Sequence, residues 1–222
     1  MILDSSDSLS IARSKTYNWT DDYICPRNGE HPALNNWCYL YMHRAKVKSF
    51  VAITHKYFRC FVHETIYRYA NSKHDTGEIL KPTISGLVFI QGNPDEIKTY
   101  LKHNFSDCHL AKDCSTKEVA IISHKVMQPF MRVSEYEPTR IRFLMHPLDH
   151  YAKGRPLVRF TSGILHGCEG YIVRIDRDRK LVMQIGDMTV AIGNIHKEHF
   201  ENIDDSDVPE NIRECLLKND GM

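Results

Sequence analysis

Large apolar residues come in short runs in the first half of the chain. Residues 37–42 (WCYLYM) follow a turn-like Asn-Asn pair, and residues 87–90 (LVFI) lie between Gly86 and Gly92. A third, shorter run begins at Cys60. Short apolar runs bounded by turn residues are typical of buried strands. The pattern therefore predicts a strand at each of these three places.

Helical spacing follows the first strand. Residues that can pack into a core recur at intervals of three and four, at Val47, Phe50, Val51, Thr54 and Phe58. The remaining faces carry the basic residues Arg44, Lys46, Lys48, His55 and Lys56. This spacing predicts an amphipathic helix with a basic outer face.

Two further helices are predicted from their first residues. Asn93 is followed by Pro94 and Glu96, which suit the N-cap, the first turn and the third helical position. Residues 115–118 (STKE) have the spacing of a capping box, which predicts another helix. We expect that helix to end at Pro129, because proline lacks a backbone N–H.

The second half of the chain has a different pattern. Proline and glycine interrupt it between residues 134 and 156, with one predicted strand at 141–145. Short apolar runs then alternate with turns, at residues 157–160, 170–175, 181–185 and 189–192. Several short strands at close spacing indicate a small β-barrel.

The pattern divides the 222 residues into five parts. Residues 1–35 are rich in Ser, Asp, Asn and Pro, and we expect a partly disordered leader. Residues 36–132 form an α/β domain, residues 133–152 a linker and residues 153–203 the barrel. Residues 204–222 form an acidic tail, whose simplest interpretation is a solvated end.

Charge is distributed unevenly along the chain. The net charge is +1, but residues 42–73 carry seven Lys or Arg against one acid, and residues 201–222 carry seven acids against two cations. The asymmetry suggests that the N-terminal half faces a polyanion. Because no apolar run reaches 18 residues and no secretory signal pattern occurs, we expect a cytoplasmic protein without membrane contact.

The cysteines and histidines do not form a metal-binding pattern. The seven cysteines are scattered, which is typical of reduced thiols. Cys108, His109 and Cys114 lack the two closely spaced pairs of a zinc site. Nucleophile-elbow, Walker, Rossmann and HExxH motifs do not occur. We therefore expect no cofactor, no metal and no enzymatic activity.

Three glycines carry the most specific signal in the sequence. Gly163, Gly167 and Gly170 lie between a strand (LVRF) and a second strand (YIVRID), spaced as G-x-x-x-G-x-x-G. Tight turns need positive φ and closely approaching strands need a residue without Cβ, which glycine alone supplies at little cost. The segment resembles the KOW motif of NusG proteins and certain ribosomal proteins.

The first half resembles the N-terminal domain of NusG proteins in the order of its elements. An aromatic strand (WCYLYM) is followed by a basic amphipathic helix, a polar hairpin, a glycine-preceded strand (ISGLVFIQG) and further helices. The resemblance covers residues 36–203. It implies an α+β protein with a four-stranded antiparallel sheet, flanking helices and a C-terminal KOW β-barrel.

The resemblance also implies a function. The chain resembles specialised members of the family, the antiterminators of capsular polysaccharide operons, and is expected to be a monomeric transcription elongation factor that binds RNA polymerase. The polymerase-binding residues would be Tyr41, Ile84 and Leu87, where the last two replace the family's aromatic residues. Contacts to the non-template DNA strand would come from His43, Arg44, Lys46 and Lys48. The KOW domain would recruit a ribosomal protein or a termination factor.

Simpler interpretations of the same residues stay open. Trp37, Tyr39 and Tyr41 alternate along one strand and could all pack into a core, and the basic helix face could be solvated. The alternative function is an RNA- or ribosome-binding KOW module that does not bind polymerase. The cations of the barrel region that would suit RNA are Arg155, Arg159, Arg174, Arg177, Arg179, Lys180 and Lys197.

Overall fold

A computed structural model describes residues 36–70 and 76–203. The described chain is mixed α+β with antiparallel sheets, as predicted. The predicted leader (1–35), the acidic tail (204–222) and residues 71–75 of the predicted hairpin lie outside the described residues.

The first sheet has four strands, in the order β2-β5-β1-β6. They are β1 (Asn36–Tyr41), β2 (Arg59–Phe61), β5 (Leu87–Gln91) and β6 (Ile122–Ser123). Each pairing is antiparallel, and in the central pair Tyr39 lies opposite Phe89. Between β2 and β5 the chain forms a separate two-stranded hairpin, β3 (Glu64–Ala70) with β4 (Thr76–Pro82).

Helices cover both faces of this sheet. The apolar sides of α1 (Val47–Thr54) and α2 (Pro94–Asn104) pack on the face that carries Cys38 and Leu40. Helix α3 (His124–Tyr136) packs on the opposite face. Helix α1 buries four of the five positions that its spacing predicted, and α2 begins as predicted, with the Asn93 side chain accepting from the Asp95 N–H at 2.8 Å.

The third predicted helix lies in a different place. Residues 115–118 form a turn, in which the Asp113 carboxylate accepts two backbone N–H bonds and Lys117 has a left-handed φ of 63°. A left-handed residue stops a right-handed helix from continuing. Helix α3 instead starts after Ser123, which caps it, and Pro129 lies inside the helix and not at its end.

The second sheet has six strands, in the order β12-β8-β9-β10-β11-β7. They are β7 (Ile141–Leu144), β8 (Leu157–Phe160), β9 (Glu169–Ile175), β10 (Asp178–Ile185), β11 (Met188–Ile192) and β12 (Phe200–Asn202). Among the described residues the two edge strands, β12 and β7, do not pair with each other. The described sheet is therefore open, whereas the sequence predicted a closed barrel.

The predicted linker, residues 133–152, consists largely of regular structure. It contains the end of α3, all of β7 and the short helix α4 (Leu148–Ala152). Strand β7 pairs along its whole length with β11, and its Ile141 and Phe143 side chains pack against the core. The interval is thus part of the second sheet and its packing.

One hydrophobic core joins the two halves of the molecule. We call it the shared core. It combines Trp37, Tyr39, Leu87 and Phe89 of the first sheet and Met127 and Phe130 of α3 with Phe160, Leu181, Met183, Ile185 and Val190 of the second sheet. Because these side chains are buried together, the first sheet, α3 and the second sheet pack as one body. The sequence had suggested two separate domains.

Candidate functional site

A surface depression lies where β1 ends and α1 begins. Its volume is about 390 Å³, and it is lined by Tyr41, Met42, His43, Lys46, Asp107 and Cys108. Three of these residues were predicted from the sequence as partner-binding or nucleic-acid-binding. The structure therefore brings part of the predicted polymerase site and part of the predicted DNA site onto one surface.

Tyr41 and Leu87 lie opposite each other on neighbouring strands but differ in exposure. Tyr41 is 49% exposed, whereas Leu87 is only 3% exposed. The Leu87 side chain points into the shared core, and Ile84 is partly buried against the same core. The expectation that Leu87 contacts the polymerase is therefore corrected, because this side chain has little surface to offer a partner.

The face of β1 that carries Trp37, Tyr39 and Tyr41 is mostly covered by the second half of the chain. The Tyr39 hydroxyl donates a short hydrogen bond to the carboxylate of Asp187, in the turn between β10 and β11. Burial and this neighbouring carboxylate raise the pKa of Tyr39. Burial and Asp187 also raise the pKa of Tyr41. Tyr41 thus lies at the rim of a face whose centre is occupied.

Four basic residues, His43, Arg44, Lys46 and Lys48, form what we call the basic corner. The His43 side chain accepts a hydrogen bond from the Ala45 N–H at 3.3 Å, which fixes the start of a short 3-10 turn over Arg44–Lys46. All four side chains are exposed.

Among the described residues, carboxylates pair with only part of the basic corner. Lys46 Nζ lies 3.9 Å from the Asp107 carboxylate, an exposed and therefore weak pair. Lys48 lies near Glu64: burial raises the pKa of that carboxyl, and Lys48 opposes the shift. Cations next to the half-exposed ring of Tyr41 can contact phosphates and stack against unpaired bases.

Each of the three glycines of the predicted KOW motif lies where the local geometry favours glycine over other residues. Gly163 and Gly167 lie in turns with φ of +68° and +84°. Gly170 lies in β9, where a Cβ would stand 2.3 Å from the carbonyl oxygen of Val182 on β10. Two glycines supply positive φ and the third allows close approach of two strands, which are the two needs inferred from the sequence.

The loop that carries these glycines is held by charged side chains. Arg132 of α3 donates to the carbonyl oxygen of Ile164 at 3.0 Å. Glu198 accepts from the Leu165 N–H at 2.8 Å and pairs with Arg140 at 3.0 Å. Both side chains of that ion pair are less than 10% exposed. The loop therefore has a fixed position against α3.

Sequence reasoning missed a buried polar pair beneath the β3–β4 hairpin. His63 Nδ1 lies 2.5 Å from the Ser134 hydroxyl of α3, and burial lowers the pKa of His63 to about 4. Within the described residues, His63 Nε2 and Thr83 Oγ1 are buried without a hydrogen-bond partner. Nothing local in the sequence marks this pair, because its members are 71 positions apart.

Within residues 36–70 and 76–203, no group of three or more His, Cys, Asp or Glu side chains is placed to hold a metal ion. Five cysteines in this part of the chain are free thiols: Cys38, Cys60, Cys108, Cys114 and Cys168. Burial raises the pKa of Cys38 to about 11, and that of Cys60 and Cys168 to about 12. At neutral pH these three thiols are protonated and unreactive.

Comparison with known proteins gives no assignment. No protein-family model matches the sequence, and no curated protein sequence matches it either. Among the helices of the described residues, none combines the length and the apolar character needed to cross a bilayer.

Proposed function

We propose that the protein is a transcription elongation factor of the NusG type with antitermination activity and no catalysis of its own. One observation carries the proposal: the antiparallel sheet β2-β5-β1-β6, with the β3–β4 hairpin inserted between β2 and β5 and helices on both faces. This is the arrangement that the resemblance to NusG N-terminal domains implies. The glycine geometry at Gly163, Gly167 and Gly170 is a second, weaker support.

RNA polymerase would bind at the depression beside Tyr41. A half-exposed tyrosine on a rigid strand offers a large contact area that is already ordered, and tyrosine is common among the residues that dominate binding energy. Ile84 would add a partly buried apolar contact. Leu87 would support Tyr41 from the opposite strand without touching the partner.

Non-template DNA would bind at the basic corner. Arg44, Lys46 and Lys48 are exposed, and a strand of DNA bound to polymerase would bring its phosphates to them. A protein that binds polymerase and DNA at the same time favours the polymerase conformation in which both binding sites are accessible. By linkage, that binding shifts polymerase toward the elongating state.

The C-terminal half would recruit a second factor, a ribosomal protein or a termination factor. Because the shared core fixes this half against the first sheet, a factor bound to it would stay close to polymerase. Tethering of this kind raises the effective concentration of the second factor.

Binding of the full-length protein to purified bacterial core RNA polymerase tests the proposal. The full chain is needed because a fragment of residues 36–132 would expose Trp37 and Phe89, which the shared core buries. We expect Tyr41→Ala to raise the Kd about tenfold, the effect of losing a central tyrosine contact. Tyr136→Ala is the matched control, since Tyr136 is 71% exposed at the end of α3 and does not line the depression.

The outcomes separate the two functions that the sequence left open. Wild-type binding that Tyr41→Ala weakens and Tyr136→Ala does not supports polymerase docking at the depression, and terminator readthrough by purified polymerase is then the functional assay. If the wild-type protein does not bind polymerase at micromolar concentration, the proposal is wrong and the RNA- or ribosome-binding alternative takes its place.

A further inference from the structure

The hairpin of β9 and β10 ends in three arginines that we call the arginine tip. Arg174 of β9 lies directly opposite Arg179 of β10, and both side chains are exposed. Arg177 lies in the two-residue turn between the strands and is also exposed. In the described part of the chain, none of the three arginines forms an ion pair or a side-chain hydrogen bond.

This arrangement opposes the stability of the hairpin. Like charges directly opposite each other on two strands repel, whereas opposite charges or apolar pairs stabilise a sheet. The β3–β4 hairpin shows the favourable case, because Arg68 lies opposite Glu78 and pairs with it at 2.8 Å. Within the described residues, the Arg174–Arg179 pair therefore does not contribute to the stability of the fold.

The turn is also unfavourable for its residues. Asp176 and Arg177 have φ of 54° and 66°, which is the pattern of a type I′ hairpin turn. The second position of this turn favours glycine, since a side chain there is strained. The chain nevertheless carries an arginine at that position, which holds a third cation beyond the ends of the strands.

The two faces of the hairpin differ in charge balance. On the face of Val173 and Lys180, the Asp176 carboxylate lies 2.9 Å from the guanidinium of Arg142 and 3.9 Å from Lys180 Nζ. Because side chains alternate along a strand, Arg174 and Arg179 point to the other face, where no acid of residues 36–70 and 76–203 pairs with them. The arginine tip therefore keeps three charges available for an external anion.

We propose that the arginine tip binds the phosphate backbone of a nucleic acid, as a second contact surface beyond the basic corner. Each guanidinium group can bind a phosphate through two parallel N–H···O hydrogen bonds. Tyr171, the aromatic residue of β9 and β10, is buried and cannot stack on a base. Binding is therefore independent of sequence and depends strongly on salt.

Fluorescence anisotropy of the full-length protein with a labelled single-stranded RNA of about 20 nucleotides tests this inference, with DNA of the same length, single-stranded and duplex, as parallel probes. We expect the double variant Arg174→Gln/Arg179→Gln to bind about tenfold more weakly at low salt. We also expect the slope of log K against log salt to fall by about 1.4, since each lost phosphate contact on a single strand changes it by about 0.7.

The matched control is Arg142→Gln, which removes a paired arginine from the other face of the same sheet. We expect it to change RNA affinity and salt slope much less than the double variant does. Thermal unfolding tests whether the two arginines serve only to stabilise the fold, because losing such a role would lower the Tm. Removing the Arg174–Arg179 repulsion should leave the Tm of the double variant equal to or above that of the wild type.

Three results would overturn the inference: wild-type protein that binds none of the probes, a double variant that binds like the wild type, or weaker binding accompanied by a lower Tm. Equal losses for RNA and DNA would support the phosphate group as the ligand. A loss confined to single-stranded RNA would support it with RNA as the source. The assay contains no polymerase, so its failure is distinguishable from a failure of polymerase docking.

Discussion

Gly186 lies in the turn where the second sheet approaches the centre of β1. Its φ is +63°, and a Cβ there would stand 2.7 Å from Cε1 of the Tyr39 ring. That ring is fully buried, and its hydroxyl is hydrogen-bonded to Asp187, so it has no room to move aside. Backbone conformation and packing thus both require glycine at this contact between the two halves.

Gly186→Ala should lower the free energy of unfolding by roughly 3 kcal/mol, because strain of an L-residue at positive φ costs about 1–2 kcal/mol and overpacking adds about 1–3 kcal/mol. Urea denaturation followed by circular dichroism measures the change. Gly154→Ala is the control, since Gly154 has a similar φ of +70° but nothing within 4 Å of a Cβ. If both variants lost the same free energy of unfolding, the contact with Tyr39 would make no contribution to the effect.

The sequence predicted which strands carry the residues of the candidate site, but it did not predict which of these side chains are exposed. Tyr41 and Leu87 both belong to apolar strands that were predicted within one residue of their observed ends. Which of the two is buried depends on α3 and the second sheet, which pack from elsewhere in the chain. The side-chain contacts with α3 and the second sheet bury Leu87 and leave Tyr41 at the rim. These contacts leave no signal in the local sequence pattern.

At the scale of elements, the β3–β4 hairpin depends on a histidine at its base. The Thr83 N–H donates to the carbonyl oxygen of His63 at 3.1 Å, which closes the hairpin. The His63 ring contacts Phe130 of α3 and Phe143 of β7, and its Nδ1 meets the Ser134 hydroxyl. The hairpin is therefore anchored on the packed interior by one titratable ring.

Stability should fall as the pH drops from 7.5 to 5.0. Burial lowers the pKa of folded His63 to about 4, whereas an unfolded histidine titrates near 6.5. Between these values the unfolded state binds a proton that the folded state does not, so acid favours unfolding. The contribution of His63 over this range is about 2 kcal/mol, and it stops growing once the pH is below about 4.

Urea denaturation at the two pH values of wild type and His63→Gln measures this contribution, because the variant lacks the titrating ring. The difference between the two pH values should shrink by about 2 kcal/mol in the variant. His196→Gln is the matched control, since it removes a histidine from an exposed position. A His63→Gln protein with an unchanged pH dependence would contradict the role of His63.

Most elements with strong local signals were predicted well, except the helix expected from residues 115–118, whereas the pairing of distant strands was not predicted. Helix α2 starts as its Asn93 cap predicted, and β8 to β11 lie close to their predicted positions. Strand β12 was missed because residues 200–202 (FEN) are exposed and are held only by pairing with β8. Strand β7 was predicted, but its partner β11 lies too far along the chain for the sequence to indicate the pairing.

At the scale of the whole molecule, the shared core determines how the two halves behave. The sequence suggested a barrel free on a linker, because proline and glycine between residues 134 and 156 resemble a domain boundary. In the structure, α3 is packed between the first sheet and the second, and Phe130 contacts both Phe89 and Phe143. Neither sheet can unfold without exposing apolar surface of the other.

The two sheets should therefore unfold in one cooperative transition. Charging the core at Leu87→Glu places a carboxylate where the side chain is 3% exposed, and should cost more than about 3 kcal/mol. Native-state hydrogen exchange, resolved by residue, is the measurement. The variant should lose protection equally in β5 of the first sheet and in β10 of the second. Protection lost in β5 but kept in β10 would mean that the halves fold independently, as tethered domains do.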